Sequence, residues 1–163
     1  MKFYITLFAV TLFCNSLWSQ SEEDFDSFGR LVFNKLIAGE EYNTVDLMWL
    51  SHYRTFLGQQ DFGEERLERE IHRVNSNYED MYREYRDSYR QLREYYRKAR
   101  EKGAEMEYLE TVYIPLEGYK NAYLVEMSFI YNSLNVRNEV RISFEAAWYD
   151  NFFRLLGPFK ENF

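Results

Sequence analysis

One cysteine, two histidines and two prolines are all that the 163 residues offer of the types that staple a chain, ligate a metal or break a helix. A lone Cys14 cannot form an internal disulfide. So few cysteines and histidines also leave no cysteine-rich zinc site and no multi-histidine centre, so neither a metal nor a cofactor is expected. Glycine is scarce too, at seven, and no Pro/Gly/Ser-rich linker divides the chain, whose length suits one domain. Basic side chains number 20 against 27 acidic, a net charge of −7. That balance opposes general nucleic-acid binding, which needs a basic footprint. No Ser/His/Asp order, Gly-rich phosphate loop or metal-ligand spacing stands out. His52 and His72 each stand alone among polar neighbours.

What the sequence has in quantity is aromatic residues, 20% of the chain within a hydrophobic share of 46%. Such a composition builds a core rather than a disordered chain. At the amino terminus Met1 and Lys2 precede an apolar stretch, Phe3 to Cys14. Leu17-Trp18-Ser19 then supplies a small residue, and the next seven residues are abruptly acidic. This is the pattern of a secretory signal peptide, expected over 1–19, and the apolar stretch is too short for a transmembrane helix. The expected product is a secreted or periplasmic chain, 20–163, with no transmembrane segment after signal removal. Bulky Phe13 argues against lipid anchoring at Cys14.

The remainder reads as helices followed by strands. A first helix is expected over about 22–38, capped by Ser21 and stopped by Gly39. A second is expected over about 44–57, capped by Asn43 or Thr44 and ended by Gly58. From 64 to 102 there is no glycine or proline, and positions 67, 71, 74, 78, 81, 85, 88, 92, 95 and 99 alternate by four and three. They form a heptad-like apolar seam with one polar member, Ser88. The weak helix formers Asn75, Ser76 and Asn77 favour a break near 76. After Gly103 the period changes to two. Met106, Tyr108, Val112 and Ile114 are assigned to one face of a first strand. Tyr123 to Tyr131, Val140 to Trp148 and Phe152 to Leu156 give three more, with Asp150-Asn151 as a tight hairpin turn. Short connections make this an antiparallel meander. The expected fold is α+β, with N-terminal helices, including a long Tyr/Arg-rich one, packed on a four-stranded sheet.

In order of elements the chain resembles the cone-shaped superfamily of nuclear transport factor two. The segment FGRLVFNKLIAGEEYNTVDLMWLSHYRTFLG (28–58) is similar to the superfamily's opening pair of helices, joined at a Gly-acidic-aromatic junction. AYLVEMSFIY (122–131), VRISFEAAWY (140–149) and FFRLLGPFK (152–160) resemble its curved hairpins and closing strand. The long helix departs from the pattern, because the corresponding helix is usually short. The resemblance implies a bent sheet around a helix with a conical pocket, in a superfamily of isomerases, dehydratases and many noncatalytic binding domains. No catalytic residue carries over.

Two constellations follow. Arg83, Arg86, Arg90, Arg93, Arg97 and Arg100, spaced 3-4-3-4-3, form one stripe on the long helix, interleaved with tyrosines. Tyr82, Arg86, Tyr89, Arg90, Arg93 and Arg97 are the candidate partner-binding residues, since Tyr and Arg are enriched at interface hot spots. The stripe also carries acids at pairing distance, such as Asp87, Glu94 and Glu101, so a solvated, self-paired face competes with docking. The second constellation is aromatic: Trp49, Tyr53, Tyr108, Tyr113, Tyr123, Phe129, Tyr131, Phe144 and Trp148 line or fill the cone. Glu110 and Glu126 interrupt its strands and, with Tyr53, are the candidate ligand-binding residues, although by strand parity the two acids need not share a face. The expected role is an exported, noncatalytic binding domain for a protein or a small apolar ligand. The alternatives are a small-molecule enzyme using a conical pocket with Glu110 or Glu126 as acid/base, and a structural protein of the cell envelope that self-associates into a homo-oligomer through the 67–99 seam.

Overall fold

A computed structural model describes residues 25, 27–40, 47–134 and 136–162. The expected signal peptide, Cys14, and the caps at Ser21, Asn43 and Thr44 lie outside the described residues. Helix α1 covers 27–38 and closes in the manner of its sequence. Gly39 takes φ +74°, its amide bonds to Leu36 O, and the Glu40 amide reaches back to Lys35 O. That pair of bonds satisfies carbonyls left open at a helix end. Helix α2, Leu50–Gly58, starts later than the sequence suggests. Leu47 and Met48 are extended because they pair with the last part of the sheet: Leu47 bridges Leu155, and the Met48 amide donates to Leu155 O at 3.2 Å.

Helix α3 runs unbroken from Glu64 to Glu101, 38 residues or ~57 Å at ~1.5 Å per residue. No break occurs near 76. There Asn75 accepts from Arg54 Nε at 2.7 Å, tying α3 to α2. Glu64 and Glu65 occupy its first turn and Lys98 and Arg100 its last, each matched to the sign of the helix dipole. It ends on Gly103, φ +87°, with the same pair of closing bonds as α1.

The sheet is an antiparallel meander of β1 (Glu105–Pro115), β2 (Ala122–Ser133), β3 (Val136–Tyr149) and β4 (Phe152–Leu155). A short β5, Lys160–Asn162, was not anticipated; it pairs with Arg141 to Ser143 of β3. β4 pairs with Ala146 to Tyr149, so β4 and β5 share one edge of β3, interrupted around Pro158, which has no amide to donate. Asp150 and Asn151 both take positive φ, as the tight β3–β4 hairpin requires.

A register shift between Tyr108 and Glu110 corrects the reading of β1. Leu109 is an extra residue in the ladder, so side-chain alternation restarts after it. Met106, Tyr108, Thr111 and Tyr113 face inward, whereas Val112 and Ile114 are 44% and 42% exposed.

Two apolar clusters hold the elements together. The larger lies between the inner face of the sheet (Val125, Met127, Phe129, Ile142, Phe144), Val32, Phe33 and Leu36 of α1, and Tyr85, Tyr89, Leu92 and Tyr96 of α3. The smaller joins Tyr53, Phe56 and Leu57 of α2 to Val74 of α3 and to Ala122 and Ala147, which are register partners. By alternation Ala147 and Tyr149 lie on the face of β3 opposite Phe144 and Trp148, so α2 covers one end of the sheet's outer face. Met81 packs against both clusters.

The heptad seam of α3 is therefore packed against the chain's own sheet and α2. Its phase also drifts: Tyr96 is buried and Tyr95 is 53% exposed. A straight helix of 3.6 residues per turn slips against a 3.5 repeat over several turns, moving the buried line from 95 to 96.

Candidate interaction surface

The inner face of the sheet is packed ring against ring. Phe129 meets Phe33 and Tyr96, each at 5.3 Å between centroids; Phe153 stacks on Phe28 at 4.7 Å and meets Trp148 edge-on at 5.0 Å. Of the nine aromatics expected to line or fill a cone, seven belong to this packing. Tyr53 lies in the smaller cluster, and Trp49 stands outside it, 56% exposed at the start of α2. Aromatic pairs of this kind add about 0.5–1.5 kcal/mol each beyond area burial. They make this face a core rather than a receptacle.

The three candidate ligand-binding residues are not assembled into one pocket. Tyr53 is buried beside Arg73, and burial pushes its hydroxyl up to about 12, with the neighbouring guanidinium partly opposing the shift. Glu110 and Glu126 do share a face, contrary to the parity expected from sequence, because the extra residue Leu109 turns Glu110 outward. In register Glu110 faces Ser128 and Glu126 faces Val112, all on the outer face. Both carboxylates act on Arg141, whose pKa is raised chiefly by its bond to Glu139 at 2.9 Å, with Glu126 and Glu110 adding to it.

Along α3 charge is divided. Residues 64–84 carry seven acidic and four basic side chains, whereas 86–100 carry six basic and two acidic. In this basic half Arg90 meets Asp87 at 3.1 Å, Arg86 approaches the same carboxylate at 3.6 Å, and Arg93 approaches Glu94 at 3.6 Å. Arg97 bridges Glu94 and Glu101. The hydrogen bond from Arg97 holds the Glu94 carboxyl below its usual range, while the bond to Glu94 raises the guanidinium. Exposed pairs of this kind contribute little to stability, so a partner can exchange them at little cost. Asp87, Glu94 and Glu101 together cannot neutralise six cations.

The tyrosines of the stripe divide between roles. Tyr89 is buried, its hydroxyl donating to Glu40 O at 3.4 Å. Tyr82 is half-buried against the larger cluster, with its ring 6.4 Å from that of Tyr78. Tyr95 has seam spacing but is exposed, on the flank of α3 away from Arg86, Arg90 and Arg97 and near Tyr131 and Glu161. Arg93 is mostly covered, and its Nε has no acceptor among the described residues. Arg100 turns away from the stripe and donates to Ile37 O at 2.7 Å, capping α1. Beneath it a groove of about 700 Å³ opens between Phe33 and Ile37 of α1 and Met106 of β1.

Among the described residues no group of His, Cys, Asp and Glu is placed to hold a metal ion, and no helix is long and apolar enough to cross a membrane. The elements define an α+β protein with one long helix against an antiparallel sheet. No protein-family model, curated protein or solved structure matches the chain.

Proposed function

We propose that this chain is an exported interaction domain without catalytic function, and that it captures an acidic partner through the basic half of α3. The carrying observation is the concentration of cations at 86–100 in a chain of net charge −7. Arg86, Arg90 and Arg97 are at the surface along one stripe. The filled aromatic face supports surface recognition over an enclosed apolar ligand, and the outward position of Glu110 and Glu126 weighs against a paired-acid site. Export rests on the amino-terminal pattern of charge, apolar stretch and small residue. Kinship with the cone-shaped superfamily remains a proposal based on the order of elements.

The test is titration of poly-L-glutamate by fluorescence anisotropy at 50 and 300 mM salt. Wild type binds and weakens at the higher salt, as screened charge contacts do. The combined Arg86→Ala, Arg90→Ala, Arg97→Ala variant, checked for unchanged melting, loses binding at least tenfold. Equal binding by the variant overturns the reading.

A further inference from the structure

Three elements part at the carboxy-terminal end of α3: α1 closes at Gly39, α3 closes at Gly103, and β1 begins at Glu105. The groove of about 700 Å³ that opens between them has an apolar floor of Phe33, Ile37, Ala104 and Met106, with Asn34 and Arg100 as polar side chains at its sides. Phe33 and Ala104 are buried, and Ile37 and Met106 are half-buried against the larger cluster. Arg100 differs from the rest of its stripe. Arg83, Arg86, Arg90, Arg93 and Arg97 each have a carboxylate within 3.6 Å. Among the described residues Arg100 has none. Its Nη1 donates to Ile37 O at 2.7 Å, which holds the guanidinium beside the groove and leaves its Nε–Nη2 edge without an acceptor among the described residues. That edge matches a carboxylate, which can take two parallel hydrogen bonds from it.

The charges around the groove favour an anion. Glu105 also lines it, but alternation carries its side chain to the face opposite Met106. There it stands across from Asn132 and, with Glu107 and Arg137, lines a separate recess. Arg141 lies further along that outer face, with Glu110, Glu126 and Glu139. On the groove's own side, Glu101 is held by Arg97, and Arg100 caps the carbonyl end of α1. Glu40 stands past that end. Against it are Arg100, exposed Lys102, and Arg30, whose guanidinium lies 4.4 Å over the Tyr108 ring. We infer that the groove binds a small amphipathic carboxylate of the medium-chain fatty-acid class. Its carboxylate takes the open edge of Arg100, with the Asn34 amide beside it, and its hydrocarbon lies on Phe33, Ile37 and Met106. The volume falls within the ~300–1,000 Å³ of ligand sites, which join a mostly apolar lining to a few placed polar groups. The site lies outside the filled aromatic face and does not depend on capture of an acidic partner by the stripe.

The probe is sodium octanoate, titrated into the isotopically labelled full chain and followed by its amide resonances. Saturable shifts are expected at Ala38, Gly103 and Ala104. Octan-1-ol, the same hydrocarbon without the charge, should bind at least tenfold more weakly. Arg100→Gln should bring octanoate down to the level of octanol. Because this side chain also caps α1, the ratio of the two affinities is the readout, which a merely loosened helix end would leave unchanged. Ala38→Trp, at an exposed position, keeps Arg100 and fills the groove; it should abolish binding of both ligands with melting unchanged. Absence of saturable shifts at those amides, equal binding of octanoate and octanol by the wild type, a preference that survives Arg100→Gln, or full binding by Ala38→Trp each overturns the site.

Discussion

Ser88 Oγ accepts the backbone amide of Phe159 at 3.0 Å and donates to Tyr85 O at 3.0 Å. The one polar member of an apolar helix seam is thus the anchor for the segment leading into β5. Around it Phe159 packs its ring on Phe144 at 4.8 Å and Tyr89 at 5.5 Å, and Tyr96 donates to Glu161 Oε1 at 2.5 Å. The carboxy-terminal edge is held to α3 at two polar points with aromatic contacts between them.

Replacing Ser88 with Ala leaves the Phe159 amide buried without its acceptor. The expected cost is about 1–3 kcal/mol, read as a lower urea midpoint. Faster hydrogen exchange at Phe159 and in β5 should accompany it; unchanged exchange there would count against the anchor.

Gly29 of α1 sits against Thr111 of β1 so closely that a Cβ at this position would lie 2.0 Å from Thr111 Oγ1. Elsewhere in a helix, Gly to Ala gains roughly 1 kcal/mol. Here Gly29→Ala is expected to destabilise by about 1–3 kcal/mol through overpacking. Pairing it with Thr111→Ala, which removes both Oγ1 and the methyl group that the new Cβ would meet, should recover part of the loss in a double-mutant cycle.

Tyr53 gives a sign to alkaline stability. Its folded pKa, about 12, lies above the ordinary value near 10, so the unfolded chain releases this proton first. Its contribution is complete below pH ~10 and is lost as pH rises from 10 through 12, by about 2–3 kcal/mol. Tyr96 shifts in the same direction through burial and its bond to Glu161. Denaturation followed between pH 8 and 12 should show a fall that is shallower in Tyr53→Phe. Identical slopes would remove Tyr53 as a contributor.

Leu109 can be excised. Tyr108 and Glu110 already face successive partners, Phe129 and Ser128, so removing the residue between them restores regular alternation without moving either side of the ladder. The deletion is expected to fold, at a cost of no more than about 2 kcal/mol. Inserting a residue elsewhere in β1 should turn part of the inward row to solvent and prevent folding. Urea unfolding of both variants distinguishes them.

Much of the architecture is legible because it is written locally. Gly39 and Gly103 end helices, Asp150-Asn151 turns a hairpin, and the period changes from helical to two at Gly103. The misreadings arise where a distant partner decides. Leu47 and Met48 have helical spacing but are extended because Leu155 pairs with them. β5 has only three residues, too few for a period, and its one sequence signal is Ser88 on a helix 71 positions away. The extra residue in β1 leaves no mark on composition, and it reverses the side on which Val112, Ile114 and Glu110 stand. The surface candidates are half legible. The arginine spacing is plain, whereas the diversion of Arg100 to cap α1 and the exchange of Tyr95 for Tyr96 depend on how a straight helix rotates across a sheet.

The unbroken α3 also governs how the molecule comes apart. Its amino-terminal half belongs to one apolar cluster and its carboxy-terminal half to the other, with Met81 in contact with both. Fraying at one end removes contacts that steady the other, so the two clusters share one melting transition instead of behaving as separate foldons. A beam built into both walls cannot fall with only one of them. Calorimetric and van't Hoff enthalpies should agree, and a lesion at Val74 should lower the protection of amides around Leu92.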